Sequence, residues 1–244
     1  MLDYDQEAGV YDATRGGEPR AEATAEAIGQ LLPDSTRSLV DVACGTAIVT
    51  TRLRRPGRTV VGVDRSAGML AVAAGRLPGA LVQGDATRLP LGSATVDAVV
   101  LIWLLHLVPD PASVIAEAAR ILRPGGVLIT TVDKNRANFT VHSDIAAVTE
   151  PWRAAYHATE ADNADSVVAM TAGHGLRPVG EAGFTGIGQG RSPRHWQTII
   201  RAGHIRWARG DDDVTELNRQ LSLLPDQDGP RADPVYRLMV LSRR

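Results

Sequence analysis

A short apolar segment followed by small residues and a later acid constrains this chain most. Residues 40–47 read VDVACGTA, and Asp64 stands nineteen residues after Gly45, at the end of a second apolar run, VVGV at 60–63. Residues 38–43 are typical of a buried strand, and the small residues after them indicate a tight turn into a helix. The pattern predicts a strand, loop, helix and strand that end in a carboxylate. Such a unit brings a nucleotide close to the backbone and lets the acid accept hydrogen bonds from ribose hydroxyls.

The rest of the first half predicts an α/β sheet in which strands and helices alternate. The predicted strands lie near 38–43, 59–64, 80–84, 96–103 and 126–132. The predicted helices lie near 19–32, 46–54, 66–77 and 111–122. Ser66 and the Asp110–Pro111 pair are expected to begin two of these helices, as an N-cap and as an N-cap followed by proline. Single helices between strands imply right-handed crossovers and a parallel sheet.

Three further motifs follow in the same stretch. They read QGDATRLPL at 83–91, VDAVV at 96–100 and RILRPGGVLI at 120–129. With them, residues 36–132 resemble the class I methyltransferases that depend on S-adenosylmethionine (SAM), of the small-molecule type that includes the ubiquinone-biosynthesis methyltransferases. The resemblance implies a Rossmann-like sheet, mostly parallel, of seven strands with the last antiparallel, and helical cap insertions. Residues 48–51 lack the glycine of a dinucleotide fingerprint, which argues against an NAD-linked enzyme.

The remaining segments are assigned within a single domain, 1–244. Residues 1–35 form an N-terminal flap and helix, with 1–17 irregular, and 36–134 form the SAM-binding core. Residues 135–176 and 190–232 are substrate cap segments, and 177–189 and 233–244 carry the final strands. Within the second cap segment we predict a helix over 193–209 and an acidic break at 211–213. Long excursions of this kind are often lids or binding elements, and a structural cap or dimer surface is the alternative.

The resemblance implies which residues hold SAM. Asp64 matches the ribose-binding acid, Asp85 and Ala86 match the pair that reads the adenine edge, and Tyr11 and Arg15 match a stretch over the methionine end. The full set of cofactor residues is Tyr11, Arg15, Asp41, Ala43, Gly45, Asp64, Arg65, Met69, Asp85, Ala86, Leu101 and Ile102. Backbone N–H groups of Gly45 and Thr46, at a helix N-terminus, are expected to support the methionyl carboxylate.

Two alanines depart from the family's loop. Ala43 and Ala47 stand where the family has glycine, and alanine does not readily take a positive φ. If either position needs that conformation, cofactor binding is expected to weaken; at negative φ the alanines are tolerable.

Methyl transfer rests mainly on orientation of the cofactor and acceptor. His106, after the fourth predicted strand, is the candidate general base, and a hydrogen-bonded structural histidine is the alternative. Trp103, Trp152, Tyr156 and Trp196 are candidates for the wall of a substrate pocket. The histidines form no metal-binding spacing, so no metal is expected. Cys44 is expected to be a small buried hydrophobe rather than a nucleophile.

The composition limits which substrates and partners are expected for this chain. Net charge is −2 over 244 residues without a basic stripe, so nucleic acid is not expected as substrate. A single cysteine, an acidic N-terminus and no apolar run of about 20 residues predict a cytoplasmic protein without a membrane segment. Two functions stay open: a methyltransferase (EC 2.1.1.-) that acts on N or O of a small molecule, such as a secondary metabolite, with S-adenosylhomocysteine as product, or a non-catalytic module that binds SAM or another adenosine ligand. A monomer or homodimer fits both.

Overall fold

The computed structural model describes residues 3–157, 160–208 and 210–244. Its sheet has seven strands in the order β3-β2-β1-β4-β5-β7-β6. The strands are β1 Ser38–Val42, β2 Thr59–Asp64, β3 Leu81–Gln83, β4 Val96–Leu101, β5 Leu122–Val132, β6 Leu176–Thr185 and β7 Val235–Arg243. β1 to β5 pair in parallel, whereas β7 runs antiparallel to both of its neighbours, β5 and β6. The predicted fold class is confirmed.

Helices cover both faces of the sheet and one end of it. They are α1 Tyr4–Glu7, α2 Tyr11–Thr14, α3 Gly17–Leu31, α4 Ala67–Ala73, α5 Pro111–Ile121, α6 Asp144–His157, α7 Ala164–Ala172, α8 Pro193–Arg201 and α9 Asp211–Ser222. Two short 3-10 helices span Thr50–Leu53 and Lys134–Phe139. The predicted caps are present, since the Ser66 hydroxyl accepts a hydrogen bond from Met69 N and the Asp110 carboxylate accepts one from Ser113 N.

Apolar side chains divide into a core on each face of the sheet and a separate one in the cap. Val114 and Ile115 of α5 and Val167 of α7 pack on one face, and Ile28 of α3 packs on the other. Helices α6, α8 and α9 surround a third apolar cluster that includes Trp196 and Leu217. No helix in the described ranges is long and apolar enough to cross a membrane.

The N-terminal segment is more ordered than the sequence predicted. Residues 4–14 form α1 and α2 instead of an irregular tail, because the Asp3 carboxylate caps α1 by accepting a hydrogen bond from Asp5 N. Asp5 in turn accepts hydrogen bonds from Ser66 Oγ at 2.6 Å and from Gly68 N at 2.8 Å. A Cβ at Gly68 would lie 2.8 Å from the Asp5 backbone, so this close approach requires glycine. Residues 1 and 2 of the predicted flap lie outside the described residues.

Three predicted helix boundaries were wrong. The helix predicted over 46–54 is reduced to the 3-10 helix Thr50–Leu53, because Ala47 has a φ of +57° and cannot lie in a right-handed helix. The predicted helix over 193–209 ends at Arg201, where Gly203 follows with a φ of +70°; Arg209 lies outside the described residues. The predicted acidic break at 211–213 is instead the first turn of α9, where carboxylates interact favourably with the helix dipole.

Candidate active site

The carboxyl ends of β1 and β2 meet at Asp64. Its Oδ2 accepts a hydrogen bond from Gly45 N at 2.8 Å, and its Oδ1 accepts one from Ser66 N at 2.9 Å. Asp64 is only 7% exposed, so these backbone bonds fix the carboxylate in place. A carboxylate offers about four lone-pair sites, so each oxygen can accept one more donor. The residues present therefore fit the two hydroxyls of a ribose, as the sequence predicts.

The loop between β1 and the 3-10 helix Thr50–Leu53 is strained. Ala43 has a φ of +60° and Ala47 a φ of +57°, on either side of Gly45 at +55°. The Cβ of an L-residue in this region lies too close to the following carbonyl. The condition under which the sequence predicts weaker cofactor binding is therefore met at both alanines. No helix begins at Thr46, so the helix N-terminus predicted there is absent, and the N–H of Gly45 already donates to Asp64. Binding of the methionyl carboxylate by the Thr46 N–H stays a prediction.

Asp41 lies behind this loop, buried to 4% exposure. Its carboxylate accepts a hydrogen bond from Thr50 Oγ1 at 2.6 Å. Burial, together with the charge of the neighbouring Asp64, raises the pKa of Asp41 to about 7, although the hydrogen bond from Thr50 acts in the opposite direction. Burial also raises the pKa of the Cys44 thiol, with Asp41 and Asp64 adding to the effect. A thiolate is disfavoured there, which supports the interpretation of Cys44 as a small packing residue.

The predicted adenine-binding residues lie at the edge of the sheet. Gln83 of β3 pairs with Asp64, so Asp85 follows two residues beyond it at the same end. Asp85 is exposed, and its Oδ1 accepts hydrogen bonds from the N and Oγ1 of Thr87, both at 2.8 Å. Its neighbour Ala86 is half-buried against the core. Arg65 is exposed next to Asp64, and Met69 is buried with 1% exposure.

Helix α2 covers the methionine side of the site. Asp12 accepts a hydrogen bond from Thr46 Oγ1 at 2.6 Å and forms an ion pair with Arg76 Nη2 at 2.7 Å, which fastens α2 to the loop. The Arg15 guanidinium lies 5.6 Å from the Tyr11 ring centroid. A cavity of about 30 Å³ opens here, lined by Tyr11, Asp12, Arg15, Gly17, Arg20, Ala21, Ile48, Val49 and Trp103. Drug-sized ligands fill cavities of roughly 300 Å³ or more, so this cavity alone is too small for the whole cofactor.

The end of β4 is where the sequence predicts the opposite wall of the site. Leu101 is fully buried and Ile102 is 8% exposed, one in each of the two sheet cores. Trp103 follows with a φ of +53°, and its backbone N–H donates to Thr131 Oγ1 at 2.8 Å. The Arg20 guanidinium lies 3.5 Å from the Trp103 ring centroid. Trp103 therefore lines the cavity with a cation stacked on its ring, and its contact with a substrate stays a prediction.

His106 lies three residues beyond Trp103 and is half-buried. Burial lowers its pKa to about 3, and the positive charges of Lys134, Arg206 and Arg20 contribute to this shift. Its buried Nδ1 has no hydrogen-bond partner among the described residues. The imidazole is thus neutral at physiological pH, and its surroundings oppose proton uptake. Its role as general base stays a prediction, and this electrostatic environment weighs against it.

Comparison with known proteins agrees with this geometry. Residues 40–130 match the methyltransferase domain family. The chain carries a class I, SAM-dependent methyltransferase domain. An uncharacterized methyltransferase of Mycobacterium tuberculosis is 41% identical over 128 residues, which cover 52% of this chain and 50% of that protein. The chain spans about half the length of the curated relatives it matches.

Solved structures extend the likeness of the methyltransferase fold to the whole chain. A SAM-dependent methyltransferase of Thermotoga maritima superposes with a TM-score of 0.58 at 16% identity, covering 99% of this chain and 98% of that one. The [4+2]-cyclase SpnF superposes with a TM-score of 0.57 at 18% identity, covering 98% and 94%. SAM is the cofactor of this domain type, and the carboxylate of Asp64 fits its ribose.

The other predicted substrate residues lie in the cap of the methyltransferase domain. Trp152, Tyr156 and Trp196 pack in the apolar cluster of α6, α8 and α9. The Trp152 indole N–H donates to Asp213 Oδ1 at 3.1 Å. None of the three is among the residues that line the described cavity beside Trp103. Their direct contact with a substrate stays a prediction; what the structure describes is the core that holds the cap together.

Sequence reasoning missed three cations that the fold brings to this cleft. Arg20 comes from α3, Lys134 follows β5, and Arg191 precedes α8. Each is largely removed from solvent, and burial lowers the pKa of all three. Lys134 is the only lysine of the chain, which was a signal in the sequence, but nothing there indicated its burial.

Proposed function

We propose that this protein transfers the methyl group of SAM to a nitrogen or oxygen of a small molecule and releases S-adenosylhomocysteine. The observation that carries the proposal is the buried Asp64 carboxylate, held by Gly45 N and Ser66 N with capacity for two further donors. SAM, when bound, supplies an electrophilic methyl group. Asp64 would hold its ribose, Asp85 and Ala86 its adenine, and Asp41 would face its methionyl ammonium.

A small acceptor is favoured because the cavity beside Trp103 is small, at about 30 Å³. Residues of α2 and α3 line it from the N-terminal side. We assign substrate selection to the cap segments 135–176 and 190–232, because they lie outside the stretch matched by the domain family. On this proposal the acceptor is a secondary metabolite. A protein of this kind is proposed to act in the cytoplasm, as a monomer or homodimer, without nucleic acid as substrate.

Catalysis on this proposal rests on alignment of the acceptor with the sulfonium. The enclosed cleft excludes water and fixes the direction of attack, which accounts for most of the rate gain in such displacements. An acceptor that arrives deprotonated needs no base. The neutral imidazole of His106 would then act as a hydrogen-bonding group at the rim.

A second candidate is a non-catalytic module that binds SAM or another adenosine ligand. Strain at Ala43 and Ala47 does not separate the two candidates, because lower SAM affinity would affect a binding module as much as an enzyme. The second candidate is kept because the chain also superposes on SpnF, a cyclase by name, and a fold does not fix the reaction.

Calorimetry combined with a turnover assay separates the candidates. We expect the wild type to bind SAM and S-adenosylhomocysteine but not NAD, and to form S-adenosylhomocysteine when pooled amines, phenols and hydroxy acids are supplied with SAM. Tight SAM binding without turnover on any pool would favour the non-catalytic module. Binding of NAD in place of SAM would contradict both.

A further inference from the structure

Three cationic side chains under the cap carry no ion-pair partner in the described part of the chain. Among the residues that the structure describes, none of Arg20, Lys134 and Arg191 forms an ion pair with a carboxylate. Arg20 Nη1 donates to the Arg15 carbonyl at 2.6 Å, and Lys134 Nζ donates to Asn135 Oδ1 at 3.3 Å. Buried charges in proteins are normally paired, because removal of an ion from water is costly.

Hydrogen bonds and strand pairing bring the three cations to the same part of the fold. Gln189, two residues before Arg191, donates to the Arg15 carbonyl at 3.3 Å, the same carbonyl that accepts from Arg20, and its Oε1 accepts from Tyr236 Oη at 2.8 Å. Lys134 follows Val132, which pairs with Arg237 next to Tyr236.

The charges of Arg191 and Arg20 both lower the pKa of Lys134, which burial brings to about 8. Lys134 and Arg20 also lower the pKa of His106. Asp162 is the acid that acts on Lys134, but its Oδ2 accepts the Lys134 backbone N–H at 3.0 Å, and burial raises its own pKa to about 6. A single acid against three cations leaves the cluster with excess positive charge.

Neutral donors without partners face the same cluster. The indole N–H of Trp103 and Nδ1 of His106 are buried and have no hydrogen-bond partner within the described part of the chain. Arg20 stacks on the Trp103 ring at 3.5 Å and lies 5.7 Å from the Tyr236 ring centroid. Indole is a donor only, and a neutral imidazole carries one N–H. A buried group with several acceptor oxygens would satisfy the indole N–H and the cations together, and also His106 in the tautomer that carries its proton on Nδ1.

We propose that the methyl acceptor is an acid, and that Lys134, Arg191 and Arg20 bind its carboxylate or phosphate group beneath the cap. The statement that the bound acid accepts a methyl group rests on the proposed function, whereas the anion site itself rests on the cluster of cations. Cations that converge from α3, from the end of β5 and from the segment before α8 form a site that only the folded chain assembles. Guanidinium groups match both planar carboxylates and phosphates, so the two anions need separate probes.

The methionyl carboxylate of SAM is the competing occupant of this cluster. Arg15 is exposed on α2 and is the residue that the resemblance assigns to that carboxylate. If Arg15 pairs with that carboxylate, the three more deeply buried cations are still without an anion. The experiment must therefore measure the cofactor and the acid separately.

We would titrate the protein by calorimetry with benzoate, phenyl phosphate and the neutral analogue benzyl alcohol, with and without saturating S-adenosylhomocysteine. Lys134→Met and Arg191→Gln each remove one positive charge at similar side-chain length. Arg177→Gln, an exposed arginine on β6, is the matched control. We expect at least one acid to bind, benzyl alcohol not to bind, and each cluster variant to weaken the acid at least tenfold while Arg177→Gln leaves it unchanged. Preference between benzoate and phenyl phosphate identifies the anion.

Each other outcome contradicts either the anion site or only the methyltransferase function on which the inference rests. Equal binding of benzyl alcohol, or a tenfold loss of S-adenosylhomocysteine affinity in the cluster variants, would assign the site to apolar ligands or to the cofactor and overturn the inference. Acid binding to a wild type that does not bind S-adenosylhomocysteine would retain the anion site and refute the methyltransferase function. Folding is checked by Tm, which Lys134→Met should raise because it removes repulsion; a fall in Tm in both cluster variants without lost acid binding would make the cations structural.

Discussion

The strained alanines of the cofactor loop give the sharpest stability prediction. Ala43 and Ala47 hold φ values of +60° and +57°, where an L-residue is disfavoured by about 1–2 kcal/mol. Replacement by glycine removes that strain but adds about 0.4–1 kcal/mol of backbone entropy to the unfolded chain. For Ala43→Gly the balance is a gain of about 0.5–1 kcal/mol, since strain relief exceeds the entropy term.

Burial distinguishes the two positions. Ala47 is fully buried against Ala73 and Leu77, so Ala47→Gly also loses about 0.8 kcal/mol of methyl burial. Its strain relief is then cancelled, and its stability should stay close to wild type. Ala43 is only half-buried and loses less. The structure therefore predicts that chemically identical substitutions four residues apart differ in outcome.

Scanning calorimetry tests the difference. Near this chain length 1 kcal/mol corresponds to about 2–4 °C, so Ala43→Gly should raise Tm by about 1–4 °C. Ala116→Gly in α5, where the backbone is helical, is the matched control and should lose about 1 kcal/mol. Ala43→Gly should also tighten SAM binding, because the loop then reaches its bound shape with less strain. A lower Tm for Ala43→Gly than for wild type would refute the strain argument.

Three further predictions concern the same site. Asp64→Ala should weaken SAM at least tenfold by calorimetry, because charge-assisted hydrogen bonds contribute about 1.5–3 kcal/mol; unchanged affinity removes Asp64 from the site. Cleavage by trypsin at Arg15 should slow when S-adenosylhomocysteine is added, as α2 closes over it; equal rates contradict a closing flap. Folded Asp41, with a pKa near 7, holds a proton that the unfolded chain releases near pH 4, so stability falls as pH rises between these values. Between pH 5 and 7 the free energy of unfolding of the wild type should fall by up to about 3 kcal/mol through Asp41, whereas that of Asp41→Asn should lack this fall, as measured by urea unfolding.

The sheet could be predicted because each strand is specified locally. Residues 59–64 form β2 as predicted, and residues 38–42 form β1 within one residue of the prediction. Continuous apolar runs between turn signals identify buried parallel strands without knowledge of their partners. The caps at Ser66 and Asp110 are equally local, since donor and acceptor lie within three residues of each other.

The loop conformation and the N-terminal helices could not be predicted in the same way. The residue types at 43–47 do not by themselves predict a positive φ at two alanines. The loop conformation accompanies the hydrogen bond from Gly45 N to Asp64, nineteen residues later in the chain. Helix α1 is likewise held by Asp5, whose partners Ser66 and Gly68 are more than sixty residues away. Tertiary hydrogen bonds override local preference at these positions.

His106 shows how far position and chemistry can be separated. Its place near the end of β4 follows from local pattern, and there the sequence predicts a general base. Its protonation depends on Lys134 and Arg20, 28 residues after it and 86 before it in the chain, which the fold brings within electrostatic reach. Burial keeps the imidazole neutral and these cations add to the effect; they would equally lower the pKa of an acceptor's own hydroxyl or ammonium group. An acceptor held by the cluster would therefore release that proton to solvent more readily before attack, and its methylation would not require the base that the sequence assigned to His106.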